Sequence, residues 1–192
     1  GCEFDPSLGI PSVHIDNAAA ARTAMEHLYA LGHERIAVVG GPPDNPLHQQ
    51  RLQGARAAAR ARGRLRQLTV VPGDFSVESG HAAAARLLGQ ASAPTAAFCF
   101  SDQMALGVLA ACRDLGIRVP KEFSVVGFDD LASSRYLSPP LTTISQPMRE
   151  IGVGAVRLLL AIIGAVEVPH QQTLDFSLML RGSTAAPPPG SG

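Results

Sequence analysis

Acidic, amide and aromatic side chains follow the short apolar runs of this sequence, at points where parallel strands would end. Asp129 and Asp130 directly follow Ser124–Phe128, which has the length and β-branched content of a buried strand. Other candidate ligand residues follow the remaining apolar runs. They are Asp44, Asn45, Leu47 and Arg51 after Ile36–Gly40, Asp74 and Phe75 after Leu68–Val71, Ser101 and Asp102 after Ala96–Phe100, and Gln146 after Leu141–Ile144. Because open α/β sheets bind ligands at the carboxyl ends of their strands, we expect these side chains to converge on one groove.

Such a groove suits a small ligand rich in hydroxyl groups. An aspartate accepts hydrogen bonds from two hydroxyls, an arginine donates, and the ring of Phe75 stacks on a nucleobase or on the face of a sugar. Leu47 would contribute shape only. Simpler interpretations stay open for four residues: Arg51 forms an ion pair with Asp129 or Asp16, Phe75 covers the sheet edge, Asp102 caps a helix, and Asp130 faces solvent or caps a turn.

Other chemistries lack their motifs. The six histidines show no H-x-x-x-H spacing and the three cysteines no C-x-x-C spacing, so we expect no metal site and no cofactor. Walker A and G-x-S-x-G motifs are absent. An enzyme holding Mg²⁺ at Asp129 and Asp130 would need a nearby phosphate-contacting lysine, but the single lysine, Lys121, precedes that strand. A metal-dependent enzyme is therefore the weakest hypothesis for this chain, and we expect that the protein is not an enzyme.

Composition narrows the class of protein. The 192 residues carry a formal net charge of +0, so the overall charge gives no electrostatic signal for nucleic acid. The Arg-rich stretch Arg51–Arg66 is the one candidate basic patch, and its simpler interpretation is the solvated face of a helix and the loop that follows it. No apolar run is long enough to cross a membrane, and no signal peptide opens the chain. Cys99 and Cys112 lie in apolar patterns as small core residues, and the odd cysteine count fits a reducing compartment. We expect a cytoplasmic location.

Short strands alternate with amphipathic helices along the chain. This alternation predicts an α/β fold with a doubly wound, mostly parallel sheet. The predicted helices cover Asp16 to Gly32, Leu47 to Arg62, Val77 to Leu88, Asp102 to Leu115 and Pro147 to Ile163, and a last strand covers Leu174 to Leu180.

Sequence motifs along almost the whole chain resemble the lac/galactose repressor (LacI/GalR) family of bacterial transcription regulators. They are IPSVHIDN, HLYALGHERIAVVGGP, RLQG, GDFSVESG, PTAAFCFSDQMALG, GIRVP, GFDD, PPLTTISQP and RGST. The segments GGPPDNPLHQQRLQG and GDF look most like the cytidine repressor branch. The resemblance implies a periplasmic-binding-protein-like (type I) fold of two lobes.

The resemblance also implies a division of the chain. Residues 16–137 and 172–184 would form a nearly complete carboxyl-terminal effector lobe. Residues 1–15 and 138–171 would be a remnant of the amino-terminal lobe and its crossovers. Residues 185–192 would be a disordered tail, and the helix-turn-helix headpiece is absent. Since most of one lobe has no counterpart, the helix Pro147–Ile163 should expose an apolar face.

By resemblance, Arg51, Phe75 and Asp129 fall on effector-contacting positions, and Asn45, Leu47, Ser101 and Gln146 on positions that vary with the ligand. The implied function is an effector sensor: a nucleoside or sugar binds between the lobes of a homodimer and shifts operator affinity through the headpiece. The helices Val77–Leu88 and Asp102–Leu115 would carry the dimer contacts. A solute-binding protein of a transport system is the alternative, since it shares the fold. Phe75 and the cytidine-repressor-like segments favour a nucleoside.

Overall fold

The computed structural model describes residues 10–90, 92–164, 169 and 171–190. Its elements, in chain order, are β1 (Ser12–Ile15), α1 (Asn17–Ala30), β2 (Ile36–Val39), α2 (Pro46–Ala61), β3 (Leu68–Val71), α3 (Val77–Leu88), β4 (Ala96–Cys99), α4 (Asp102–Asp114), β5 (Ser124–Asp129), β6 (Thr142–Ser145), α5 (Met148–Ile163), β7 (Gln171–Leu174) and β8 (Ser177–Met179). Short 3₁₀ turns cover Leu65–Gln67 and Ala132–Tyr136. Most predicted elements are confirmed to within two residues at each end.

A six-stranded sheet forms the centre of the molecule, in the order β3-β2-β4-β5-β6-β8. The first five strands are parallel, and β8 is antiparallel to β6. All four residues of β2 and of β4 are buried, as expected for parallel strands covered on both faces. The predicted α/β class and mostly parallel sheet are confirmed.

Helix caps place polar side chains at the carboxyl ends of the strands. Asn45 Oδ1 accepts a hydrogen bond from the Leu47 N–H at 2.8 Å, and Ser101 Oγ accepts one from the Met104 N–H at 3.1 Å. Asp102 does not cap its helix as the simpler interpretation supposed, because Ser101 holds that position and Asp102 is the first helical residue.

Two glycines allow neighbouring helices to pack closely. A Cβ at Gly54 of α2 would lie 2.0 Å from the Ala18 carbonyl oxygen of α1. A Cβ at Gly107 of α4 would lie 2.0 Å from the Val77 carbonyl oxygen of α3. The helix pairs α1–α2 and α3–α4 therefore pack with their backbones nearly in contact, which fixes where their amino ends lie.

The strand after the crossover belongs to the large sheet. β6 pairs with β5, with Thr142 opposite Val126 and Ser145 opposite Asp129. Residues 142–145, which the prediction counted among the amino-terminal remnant and its crossovers, thus form a strand of the large sheet. The predicted division of the chain into lobes stays a prediction.

The carboxyl-terminal region forms two strands and not one. β7 pairs in parallel with β1 in a separate two-stranded sheet, and β8 pairs with β6. The single strand predicted from Leu174 to Leu180 is therefore interrupted at Asp175 and Phe176. The alternation of apolar and polar residues continues through the break, so it did not indicate that β7 and β8 belong to different sheets.

The predicted disordered tail is ordered where it begins. The Ala185 N–H donates to Ser124 Oγ at 3.0 Å, and the Ala185 carbonyl oxygen lies 2.9 Å from His33 Nε2 and 3.1 Å from Ser124 Oγ. These contacts anchor the chain to buried residues near the amino end of β5. Residues 191 and 192 lie outside the described residues.

The helix α5 exposes an apolar face, as predicted. Only Ile151 and Leu158 are buried in it, while Leu160 and Ile163 are 62% and 74% exposed. Its inner side packs against β1, where Gly154 approaches the Val13 side chain. Within the described residues, no helix is both long enough and apolar enough to span a membrane.

Candidate ligand-binding site

A cavity of about 410 Å³ lies at the carboxyl ends of the large sheet. Its lining includes all seven predicted ligand residues: Asn45, Leu47, Arg51, Phe75, Ser101, Asp129 and Gln146. The parallel direction of β2, β3, β4 and β5 causes this convergence, since the segments that follow them emerge at one edge. β1 and the first turn of α5 complete the lining.

Arg51 is buried beneath the cavity and is held by neutral groups. Its Nε donates to Asn17 Oδ1 at 2.9 Å, its Nη1 donates to the Phe100 carbonyl oxygen, and its Cζ lies 3.6 Å from the centroid of the Phe128 ring. Burial lowers the pKa of Arg51 to about 10, with the charge of Asp129 acting in the opposite direction. The ion pair with Asp129 or Asp16 is not formed among the described residues; Asn17 and the Phe100 backbone hold two of the three guanidinium nitrogens instead.

Asp129 ends β5 with its carboxylate next to Gln146. Gln146 Nε2 donates to Asp129 Oδ1 at 2.7 Å. Burial raises the pKa of Asp129 to about 6, the positive charge of Arg51 lowers it, and the negative charge of Asp102 raises it further. The backbone at Asp129 has φ of +119°, which an L-residue rarely adopts.

Asp130 is bound to Arg181 and does not face solvent. Arg181 Nη2 lies 2.5 Å from Asp130 Oδ1, and both side chains are only 13% exposed. Arg181 Nη1 also donates to the Leu141 carbonyl oxygen at 2.8 Å. The predicted solvent-facing or capping position is therefore wrong. Its partner lies 51 residues further along the chain, beyond the reach of local pattern.

Phe75 lies in the turn between β3 and α3, with φ of +68°. Its ring packs on the backbone of Gly41, because a Cβ at Gly41 would lie only 2.1 Å from Phe75 Cζ. The turn is stabilised by Asp74, whose Oδ1 accepts from the Ser76 N–H at 2.9 Å. The ring is thus both a cavity wall and, as the simpler interpretation held, a cover over the edge of the sheet.

Several lining residues were not predicted. They are Val13, His14, Ile15, Asn17, Gln103, Leu131, Met148 and Ile151. Asn17 had a usable signal, since an amide directly after a short strand is placed at the same edge as the predicted residues. Met148 and Ile151 lie in the first turn of α5, directly after β6 and Gln146, so the same strand-end signal could have found them. Among the described residues, no three His, Cys, Asp or Glu side chains cluster as metal ligands would.

Comparison with known proteins places the chain in a family. A periplasmic binding protein-like domain model matches residues 25–184. The HTH-type transcriptional repressor CytR of Escherichia coli (strain K12) is 43% identical over 188 residues, covering 97% of this chain and 55% of the repressor. The chain thus spans about half the length of this curated relative.

Two solved structures share the fold. A dimeric Lac repressor with a C-terminal deletion is 34% identical with a TM-score of 0.89, covering 96% of this chain and 68% of that one. A LacI family transcriptional regulator from Enterococcus faecium with bound ribose is 30% identical with a TM-score of 0.85, covering 92% and 66%. These relatives are named as transcription regulators and not as enzymes. The chain therefore belongs to the LacI family of transcription regulators, and residues 25–184 match its periplasmic binding protein-like domain.

Proposed function

We propose that this chain is the effector-sensing domain of a bacterial transcription regulator and is not an enzyme. The observation that carries the proposal is the cavity that collects a buried arginine, an aspartate, a phenylalanine ring and several amides. This set of groups binds a small molecule by hydrogen bonds and stacking, and it contains no nucleophile paired with a base.

The cavity offers a hydrogen-bond donor and an acceptor in Arg51 and Asp129. Two of the three guanidinium nitrogens of Arg51 are occupied by Asn17 and Phe100, and Nη2 bonds to no described residue. Asp129 uses Oδ1 to accept from Gln146, and Oδ2 has no hydrogen-bond partner in the described chain. A vicinal diol matches this pair, because one hydroxyl oxygen accepts from Arg51 while the other hydroxyl donates to Asp129.

A ribose-containing ligand satisfies the site best. Its diol meets Arg51 and Asp129, and either its sugar face or an attached base stacks on Phe75. A cavity of about 410 Å³ accommodates a free pentose or a nucleoside. The ribose bound in the Enterococcus faecium relative supports the sugar part of the proposal. Similarity to CytR, together with Phe75, favours the nucleoside.

Regulation would follow from the two parts of the cavity lining. Part of the lining follows strands of the large sheet, and part comes from β1 and α5. A ligand that contacts both favours the arrangement in which they are close, and it shifts the equilibrium only by its difference in affinity for the two arrangements. In the full protein we propose a cytoplasmic homodimer that binds operator DNA through a headpiece outside this chain.

A thermal-shift screen on the full-length protein tests the proposal. The compounds are D-ribose, cytidine, adenosine, adenine and cellobiose. At a hundredfold excess over its dissociation constant, a bound ligand adds about 2.7 kcal/mol of stability. A response to cytidine or adenosine supports the nucleoside, and a response to D-ribose or cellobiose alone supports a sugar. A response that survives unchanged in Asp129→Asn and in Arg51→Met would place binding outside this cavity and contradict the proposal.

A further inference from the structure

A second carboxylate lies behind the cavity and does not line it. Asp102 is 3% exposed, and three donors surround it. Its Oδ2 accepts from the Leu131 N–H at 2.8 Å and from Ser134 Oγ at 2.5 Å, and its Oδ1 accepts from Thr143 Oγ1 at 2.6 Å. Within the described residues it forms no ion pair. Burial raises its pKa, while the hydrogen bonds from Ser134 and Thr143 lower it.

The position of Asp102 joins four segments of the site. It begins α4 directly after Ser101, a cavity residue. A Cβ on Gly127 of β5 would lie 2.3 Å from its Oδ1, so the carboxylate fits against the bare backbone of that strand. Its hydrogen bonds reach Thr143 in β6 and the 3₁₀ turn after β5.

The turn that Asp102 holds contains two unusual backbone conformations. Asp129 has φ of +119° and Asp130 has φ of +54°, and neither is a glycine. Such conformations persist only where the surroundings fix them. Asp129 and Asp130 are fixed by Gln146 and Arg181, and the residue that leaves the turn, Leu131, is fixed by its N–H bond to Asp102. Leu131 also lines the cavity.

We propose that Asp102 is a positioning residue for the ligand site, holding the Asp129–Leu131 turn so that the Asp129 carboxylate is presented to the cavity. The part of this inference that concerns affinity rests on the proposed function. Its structural part does not, because the Leu131 amide and the Asp129 carboxyl group can be observed without any ligand.

The test compares three variants of the full-length protein by NMR at pH 8. Asp102→Ala removes every acceptor, Asp102→Asn keeps one oxygen for the Leu131 N–H but removes the charge, and Thr143→Val removes a neighbouring hydroxyl donor to Oδ1. In the wild type the Leu131 amide should be protected from hydrogen exchange. In Asp102→Ala this amide should exchange at least about tenfold faster than in the wild type. In Asp102→Asn and Thr143→Val its exchange rate should stay within about threefold of the wild-type rate.

The titration of Asp129 separates positioning from general stability. Since the charge of Asp102 raises the pKa of Asp129, Asp102→Asn should lower the pH midpoint of the Asp129 carboxyl resonance, and Thr143→Val, which keeps the Asp102 carboxyl group, should lower it less. A loss of packing alone would not produce this split. If Asp102→Ala fails to fold, the wild-type protection of Leu131 and the Asp102→Asn titration still decide the question.

Binding of D-ribose and of cytidine, measured by calorimetry, completes the test. We expect Asp102→Ala to weaken whichever of them binds by about tenfold or more, and Thr143→Val by no more than about twofold. Equal weakening in both variants, an unprotected Leu131 amide in the wild type, or an unmoved Asp129 midpoint would overturn the positioning role. If neither compound binds the wild type, the proposed ligand class fails, while the exchange and titration results still decide the role of Asp102.

Discussion

A buried guanidinium held by neutral partners gives the site its fixed donor. Arg51 is 4% exposed and is oriented by Asn17, by a backbone carbonyl group and by the face of Phe128. Because these partners carry no compensating negative charge, the positive charge stays available to a ligand. The sequence predicted the place of Arg51 from its position after a strand, but it did not predict Asn17, which lies 34 residues earlier.

Phe75→Ala should weaken ligand binding without unfolding the chain. The ring is half-buried and lies at the rim of the sheet, so its removal takes away a stacking surface while leaving the central core intact. We expect an affinity loss of about tenfold and a small change in melting temperature, measured by calorimetry and thermal unfolding. Phe75→Tyr keeps the ring face and is the matched control. Unchanged affinity in Phe75→Ala would exclude the stacking role.

The stability of the ligand-free chain should depend on pH through Asp129. Its pKa is raised from 3.8 to about 6, so folding favours the protonated form. This contribution to stability is fully present below about pH 3.8 and is lost as the pH rises through about 6. Asp129→Asn, which stays neutral, should therefore gain stability relative to the wild type between pH 4 and pH 8, by on the order of 2 kcal/mol.

Urea unfolding of both proteins at pH 4 and pH 8 measures this difference. Asn keeps the size of the side chain and the acceptor for Gln146, so that the comparison isolates the charge. A difference in unfolding free energy that is the same at both pH values would show that the Asp129 carboxyl group is not destabilised by burial.

At the scale of elements, the periodicity of the sequence predicted the bounds of helices and strands but not the partners with which the strands pair. The helix α3 and the strand β3 have the predicted bounds, because caps, stop signals and apolar spacing are encoded within the segment itself. The sheet membership of β6 and the break between β7 and β8 depend on partners elsewhere in the chain. The close packing of α1 against α2 at Gly54 likewise could not be predicted from local sequence, since it depends on the position of Ala18.

Two glycine-to-alanine substitutions in helices should have opposite effects on stability. Gly54→Ala would place a methyl group 2.0 Å from the Ala18 carbonyl oxygen, so the helices must separate, at a cost of about 1–3 kcal/mol. Gly152→Ala in α5 meets nothing within 4 Å and should stabilise the chain by about 0.5–1 kcal/mol through helix propensity. Chemical denaturation gives both values. A destabilisation at Gly152 as large as at Gly54 would contradict the packing described here.

At the scale of the whole molecule, the direction of the parallel strands explains why the site could be predicted. Every β-to-α connection of the large sheet emerges at the same edge, so seven residues scattered from Asn45 to Gln146 meet in one cavity. The residues that β1 adds to the lining, Val13, His14 and Ile15, depend on how the separate two-stranded sheet lies against that edge, which no segment specifies alone. That the seven residues bind a ligand stays a prediction.

Calorimetric titration of the wild type and of Asp129→Asn with the same compound tests the central claim most directly. The titrant is the compound with the strongest response among D-ribose, cytidine, adenosine, adenine and cellobiose. We predict micromolar binding by the wild type and about tenfold to hundredfold weaker binding by Asp129→Asn, because a hydrogen bond to a charged acceptor is lost while the side-chain shape is kept. Equal affinity in the two proteins would contradict the account, since the ligand would then not be held by the carboxylate at the end of β5.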